Sequence, residues 1–143
     1  MTTNYFELNE FLYSDNALKN KIPNLPSFQI VENIKMMLPL LNGLREIWGS
    51  SIIVSSGYRC PELNKKVGGS STSAHLMGFA VDLVPSNGKM NEFIECCKRY
   101  FNNTKYDFDQ ILFESSGSSK WVHVGYKNLK GEQRRQIFSI TKE

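Results

Sequence analysis

The first third of the chain is patterned at helical period. In residues 5–13, Leu8, Phe11 and Leu12 recur at the spacing of one helix face, and Ser14 and Asp15 can cap a second short helix through Leu18. Pro23 and Pro26 mark a loop. Ser27 then reads as the N-cap of a long helix running to about Trp48. Its apolar stripe is Ile30, Ile34, Met37, Leu38, Leu41, Leu44 and Ile47, with Pro39 interrupting it and Gly49 closing it.

Short apolar runs take over after Gly49. Residues 52–54 are β-branched and predict a strand, which Ser55-Ser56-Gly57-Tyr58-Arg59 leaves as a tight loop. Residues 61–66 predict a short helix with Pro61 in its first turn. A flexible crossing of glycine and serine leads to the loop around His75, and residues 79–84 form the next strand. Residues 91–101 predict an amphipathic helix turning Phe93, Ile94, Cys97 and Phe101 inward. Residues 108–114, 121–126 and 135–140 predict three more strands, the first two joined by a glycine-serine loop over 115–119. Helices come first and strands dominate the end, joined by short links. This predicts an α+β fold, with helices packed on a small antiparallel sheet in one domain spanning 1–143.

Composition changes this picture little. With 143 residues, 41% of them hydrophobic and 22% charged, the chain is long enough for a core and is neither disordered nor membrane-like in character. No apolar run approaches the roughly 18–20 residues of a membrane span. The amino terminus lacks a charged region followed by an apolar one, so synthesis in the cytoplasm without a signal peptide is expected. A net charge of +3 is too mild to argue for nucleic acid, and residues 130–135 read as a solvated edge. Three cysteines, two of them adjacent, are a poor disulfide framework and read as small buried apolar residues.

Candidate chemistry centres on the only two histidines. His75 follows a loop of small polar residues, and Asp82 follows it by seven positions in an apolar strand. His123 stands in the run Trp121-Val122-His123-Val124. Strand alternation puts Ala80, Asp82 and Val84 on one face, His123 and Gly125 on one face, and Gln110, Leu112 and Glu114 on one face. If these strands are neighbours, Asp82, Glu114 and His123 converge, and the loop delivers His75.

Carboxylates in apolar strands are costly unless paired or bound to metal. Two imidazoles and one carboxylate suit a zinc ion, Zn2+, with one coordination position open. An ion so held lowers the pKa of a bound water toward about 7. Amide hydrolysis also needs a carboxylate base near the metal but not on it. Glu114 fits, because Asp109 falls on the opposite strand face and Asp107 lies further from the apolar run. Arg59 can fork onto a substrate carboxylate or carbonyl, and Ser73 can donate to the same group. Small residues flanking His75, namely Ser73, Ala74 and Gly78, would leave room for substrate.

Ser73-x-His75-x-x-Gly78-x-Ala80-x-Asp82, followed by Trp121-Val122-His123, resembles the zinc D-alanyl-D-alanine carboxypeptidases and L-alanyl-D-glutamate endopeptidases, whose fold is shared with the hedgehog amino-terminal domain. Ser56-Gly57-Tyr58-Arg59, Leu63-Asn64, Val67-Gly68-Gly69-Ser70 and the opening Leu8-x-Glu10-Phe11-Leu12 segment match the same pattern. The resemblance runs from about residue 6 to about residue 126. It implies zinc on His75, Asp82 and His123, a carboxylate base upstream of the second histidine, and substrate held by Arg59. Many members place the base three residues before the last histidine, where this chain has Lys120; others place it at an upstream strand end, as Glu114 would be. The implied substrate is the peptidoglycan stem peptide. The implied setting is the cell wall, reached after holin-type release as by phage endolysins, and a monomer is expected. The rival reading is a hedgehog-like module that keeps zinc without hydrolysis.

Overall fold

Helices in this protein start where a side chain can replace a missing backbone partner. The computed structural model describes residues 4–142; residues 1–3 and 143 of the expected single domain lie outside the described residues. Helix α1 spans Leu8–Leu12 and α2 spans Asp15–Lys19. Ser14 caps α2 by accepting from the Ala17 N–H at 3.1 Å. Helix α3 spans Phe28–Trp48, with Ser27 accepting from the Ile30 N–H at 3.2 Å and Gly49 closing it in the left-handed conformation, φ 77°. The helix continues through Pro39 rather than being interrupted by it. Its buried stripe is Ile30, Ile34, Met37, Leu40, Leu41 and Leu44, while Ile47 is exposed. The sequence stripe therefore runs one turn too far.

Strand β1 spans Ile52–Ser56, α4 spans Pro61–Lys66, and a 3-10 turn covers Ala74–Met77. Strand β2 spans Ala80–Pro85, α5 spans Met90–Asn103, β3 spans Gln110–Ser116, β4 spans Ser119–Gly125 and β5 spans Gln136–Lys142. Phe93, Cys97 and Phe101 of α5 are buried as its period requires. All three cysteines are free, and burial pushes the Cys97 thiol well above the usual range.

The five strands form one sheet in the order β1-β2-β4-β3-β5. Three pairings are antiparallel, but β5 runs parallel to β3, so the sheet is mixed rather than antiparallel throughout. The reason lies in the return path. Strand β4 ends opposite Gln110, the first residue of β3, so the chain need only step across the end of β3 to begin β5 beside that same residue, with Gln110 opposite Gln136. Asp109 guides this step. Its carboxylate accepts from Arg134 Nε at 2.7 Å and Nη2 at 2.8 Å, and its carbonyl accepts from the Gln136 N–H at 2.9 Å. Residues 130–135 are therefore not simply a solvated edge.

The connection between β3 and β4 is also shorter than expected. The strands extend to Ser116 and from Ser119, leaving Gly117 and Ser118 as a two-residue turn with Gly117 at φ 59°. Glu114 thus lies inside a paired strand, opposite Trp121, rather than at a strand end.

The sheet has two unlike faces. Val81, Leu83, Ile111, Phe113, Val122 and Val124 point to a core shared with α3 and α5, and all are buried. Between those helices Tyr100 is buried and its hydroxyl donates to the Leu40 carbonyl at 2.8 Å. Gly43 makes this contact possible, because a Cβ there would collide with the Tyr100 hydroxyl. Tyr100→Phe leaves the carbonyl without this donor. We expect a loss of about 1 kcal/mol, read as a fall of about 2–4 °C in Tm by calorimetry.

Candidate active site

Pairing register decides which residues share the face away from the helices. Asp82 lies opposite His123, and His123 lies opposite Leu112. The same row continues to Ser56 on β1 and Phe138 on β5. Side chains two residues apart along a strand share a face, so Glu114 joins this row's face as a diagonal neighbour of His123, with backbones about 7–8 Å apart. Arg59, Ser73, His75, Asp82, Glu114 and His123 all line one cleft of about 1400 Å³. All six candidate residues are therefore brought to one surface.

His75 reaches the cleft from the 3-10 turn. Ser73 caps that turn by accepting from the His75 N–H at 3.2 Å, so its oxygen orders the loop that carries His75. Gly78, at φ 72°, ends the turn; a Cβ there would press on the Ile30 carbonyl at 3.0 Å. Gly78 is small because the turn packs on α3, not because substrate needs the room. The His75 ring lies 2.7 Å through Nδ1 from the Gly57 carbonyl. A carbonyl can only accept, so Nδ1 carries the proton and Nε2 is left as a metal-binding lone pair.

The donor atoms gather. His75, Asp82 and His123 each offer one ligand atom, all within 4.8 Å of one another. His75 Nε2 lies 3.4 Å from Asp82 Oδ1, and His123 Nδ1 lies 3.0 Å from the same oxygen. Among the described residues this is the group able to hold a metal ion. Two imidazoles and one carboxylate, without thiolate, match a zinc site that keeps a position open.

Electrostatics favour the metal-binding protonation states. Burial pushes the His75 pKa below its ordinary value, and the charges of Arg59 and His123 act in the same direction against the pull of Asp82. The ring is thus neutral near pH 7, as a ligand must be. Burial alone would raise the Asp82 carboxyl. The two imidazoles beside it, which become donors and positive charges as they protonate in acid, outweigh it and hold Asp82 well below the usual carboxylate range.

Arg59 is held by residues that the chemistry alone did not single out. Its Nε donates to Ser56 Oγ at 3.2 Å and its Nη1 donates to Asn64 Oδ1 at 3.0 Å. Nη2 lies 3.8 Å from Asp82 Oδ2, so the guanidinium is tethered beside the carboxylate of the candidate metal group. Burial lowers its pKa, opposed by Asp82 and Glu114. Asn64 is buried and donates to the Ser70 carbonyl at 2.9 Å, tying the glycine-serine crossing to Arg59. A Cβ on Gly69 would collide with Asn64 Oδ1, so a larger residue would break this clamp.

Gly57 is the least visible member of the site. A bulge between Val54 and Ser56 shifts the register of β1 and turns the chain into Gly57. A Cβ on Gly57 would strike the backbone of Phe11, whose carbonyl accepts from the Tyr58 N–H at 2.7 Å. Gly57→Ala must push the loop outward and take the carbonyl from His75. We expect zinc affinity to fall about 10- to 100-fold, measured by competition with a chromophoric chelator.

The alternative carboxylates are engaged or remote. Asp109 is buried and bidentate with Arg134, and Asp107 is exposed and 3.5 Å from Arg135. Asp109 also lines the cleft, rather than facing away from it as strand parity predicts, but both of its oxygens are taken by Arg134; Glu114 is buried on the cleft face with one oxygen paired to Lys142. No curated protein matches this chain. The family model for Peptidase M15 matches residues 4–125, a span that contains both histidines, Asp82, Arg59 and Glu114. A match over most of the chain, joined to a His-Asp-His cluster of zinc-binding character, places this protein in the Peptidase M15 family of zinc D-Ala-D-Ala carboxypeptidases.

Proposed function

We propose that this protein hydrolyses an amide bond in peptidoglycan stem peptides. His75, Asp82 and His123 would hold the zinc ion, which when bound polarises the scissile carbonyl and acidifies a water at its open position. Glu114 takes the proton of the attacking water and returns it to the nitrogen of the departing amine. For this its carboxylate must face the same cleft as the trio without being one of its ligands. Arg59, held as a fork by Ser56 and Asn64, binds an anionic group of the stem peptide. Ser73 can donate its hydroxyl hydrogen to substrate while its oxygen still accepts from His75.

The observation that carries this reading is the placement of an unligated, buried carboxylate diagonal to His123 on the cleft face. The cleft is lined from all five strands, so a peptide has wall on both sides of the trio. That breadth supports internal cleavage over removal of a terminal residue. The test is mass spectrometry of products from purified peptidoglycan incubated with zinc-loaded protein. Fragments cut within the stem are expected. Release of terminal D-alanine alone would shift the reading to a carboxypeptidase, and no cleavage by folded, zinc-loaded protein would overturn it in favour of a binding module.

A further inference from the structure

Glu114 is 6% exposed, and a charge so placed is costly unless it is paired. Among the described residues its ion-pair partner within 4 Å is Lys142, whose Nζ lies 2.9 Å from Oε2. Lys142 stands near the end of β5, outside the residues 4–125 that the family model matches. Its register partner on β3 is Ser116, two residues beyond Glu114, so Lys142 projects onto the cleft face diagonally to that carboxylate. Its Nζ also sits 5.7 Å from the centre of the Trp121 ring, and Trp121 is the residue directly opposite Glu114 on β4. The ammonium is thus guided by an aromatic wall toward one carboxylate oxygen. Its side chain is 54% exposed at the cleft, so it can yield when substrate arrives.

We infer that Lys142 is a positioning residue for Glu114, holding one oxygen of the buried carboxylate and aiming the other into the cleft. The inference rests on the reading of Glu114 as the base. A proton acceptor in a poorly solvated wall must keep its rotamer through repeated turnovers, and a cation on one oxygen leaves the other free to accept. The other cation that faces Glu114 is Arg59, from the loop after β1, which is engaged by Ser56, Asn64 and Asp82. Strand β4 offers Trp121 there, which does not titrate. The final strand, parallel where antiparallel pairing was expected, therefore has a chemical use.

The test compares full-length, zinc-loaded wild type with Lys142→Met and Lys142→Arg on purified stem peptides. Lys142→Met keeps the apolar stem over Trp121 and removes the charge. We expect kcat to fall about tenfold with KM within about twofold, and Lys142→Arg to recover most of the loss. A second readout needs no turnover. In metal-free protein, Lys142→Met should lower Tm by about 2–4 °C in the wild-type background and by none in the Glu114→Gln background. Unchanged kcat, a KM rise with kcat intact, or equal Tm changes in both backgrounds would overturn the inference. Wild type that cleaves no stem peptide while the Tm coupling persists would sink the substrate assignment and uphold the pairing.

Discussion

Asp82→Ala is expected to yield a folded protein that carries no stoichiometric zinc and no peptidase activity above background. Asp82 is the anionic member of the trio, and its Oδ1 is the atom both imidazoles approach, at 3.4 and 3.0 Å. Two neutral imidazoles alone leave zinc with too few protein ligands for a tetrahedral site. Arg59 also loses the carboxylate beside its Nη2, so its positive charge stands next to the site with less to offset it and disfavours a divalent cation there. The consequence can be read without substrate. Zinc at about 100 times its dissociation constant stabilises a protein that binds it by about 2.7 kcal/mol. That is a rise of about 5–10 °C in Tm at this chain length. Wild type should show that rise and Asp82→Ala should not. A variant that keeps both zinc and the thermal shift would mean that the ion sits elsewhere.

Glu114→Gln should do the opposite to the metal and nearly the same to the chemistry. Glutamine keeps the shape of the side chain but cannot accept a proton from water at neutral pH. Zinc content should match wild type, because Glu114 is not among the three residues proposed to hold the ion. We expect kcat to fall by about 10²–10⁴, the range general acid–base catalysis supplies, with KM changed little. Asp109→Asn is the control carboxylate. It should lower Tm through the lost bidentate Arg134 pair while leaving kcat near wild type. If Asp109→Asn abolished turnover and Glu114→Gln did not, the base would be misassigned.

Much of this site was readable from residue order because the alternation of a strand is strict. Asp82, Glu114 and His123 each break an apolar run, and parity alone put them on common faces; the register of β2, β4 and β3 then made those faces one. The helices were legible for the same reason, since Ser14, Ser27 and Gly49 mark their ends with local chemistry. What stayed hidden depends on contacts far apart in the chain. Nothing in residues 135–140 says that the last strand pairs in parallel with β3; that follows from Asp109 receiving Arg134 and Gln136 as the chain turns back. Lys142 could not be tied to Glu114 without that register. Gly78 looked like space for substrate and proved to be contact with α3. The Gly57 carbonyl, which sets the tautomer of His75, has no side-chain signature at all.

Whether His75, Asp82 and His123 share one zinc ion is decided by diffraction from zinc-loaded crystals with anomalous data collected on both sides of the zinc edge. One anomalous peak is expected within about 2.0–2.2 Å of His75 Nε2, His123 Nδ1 and an Asp82 carboxylate oxygen, with Glu114 outside the coordination sphere. A peak held by other residues, or none between these three side chains, would contradict it.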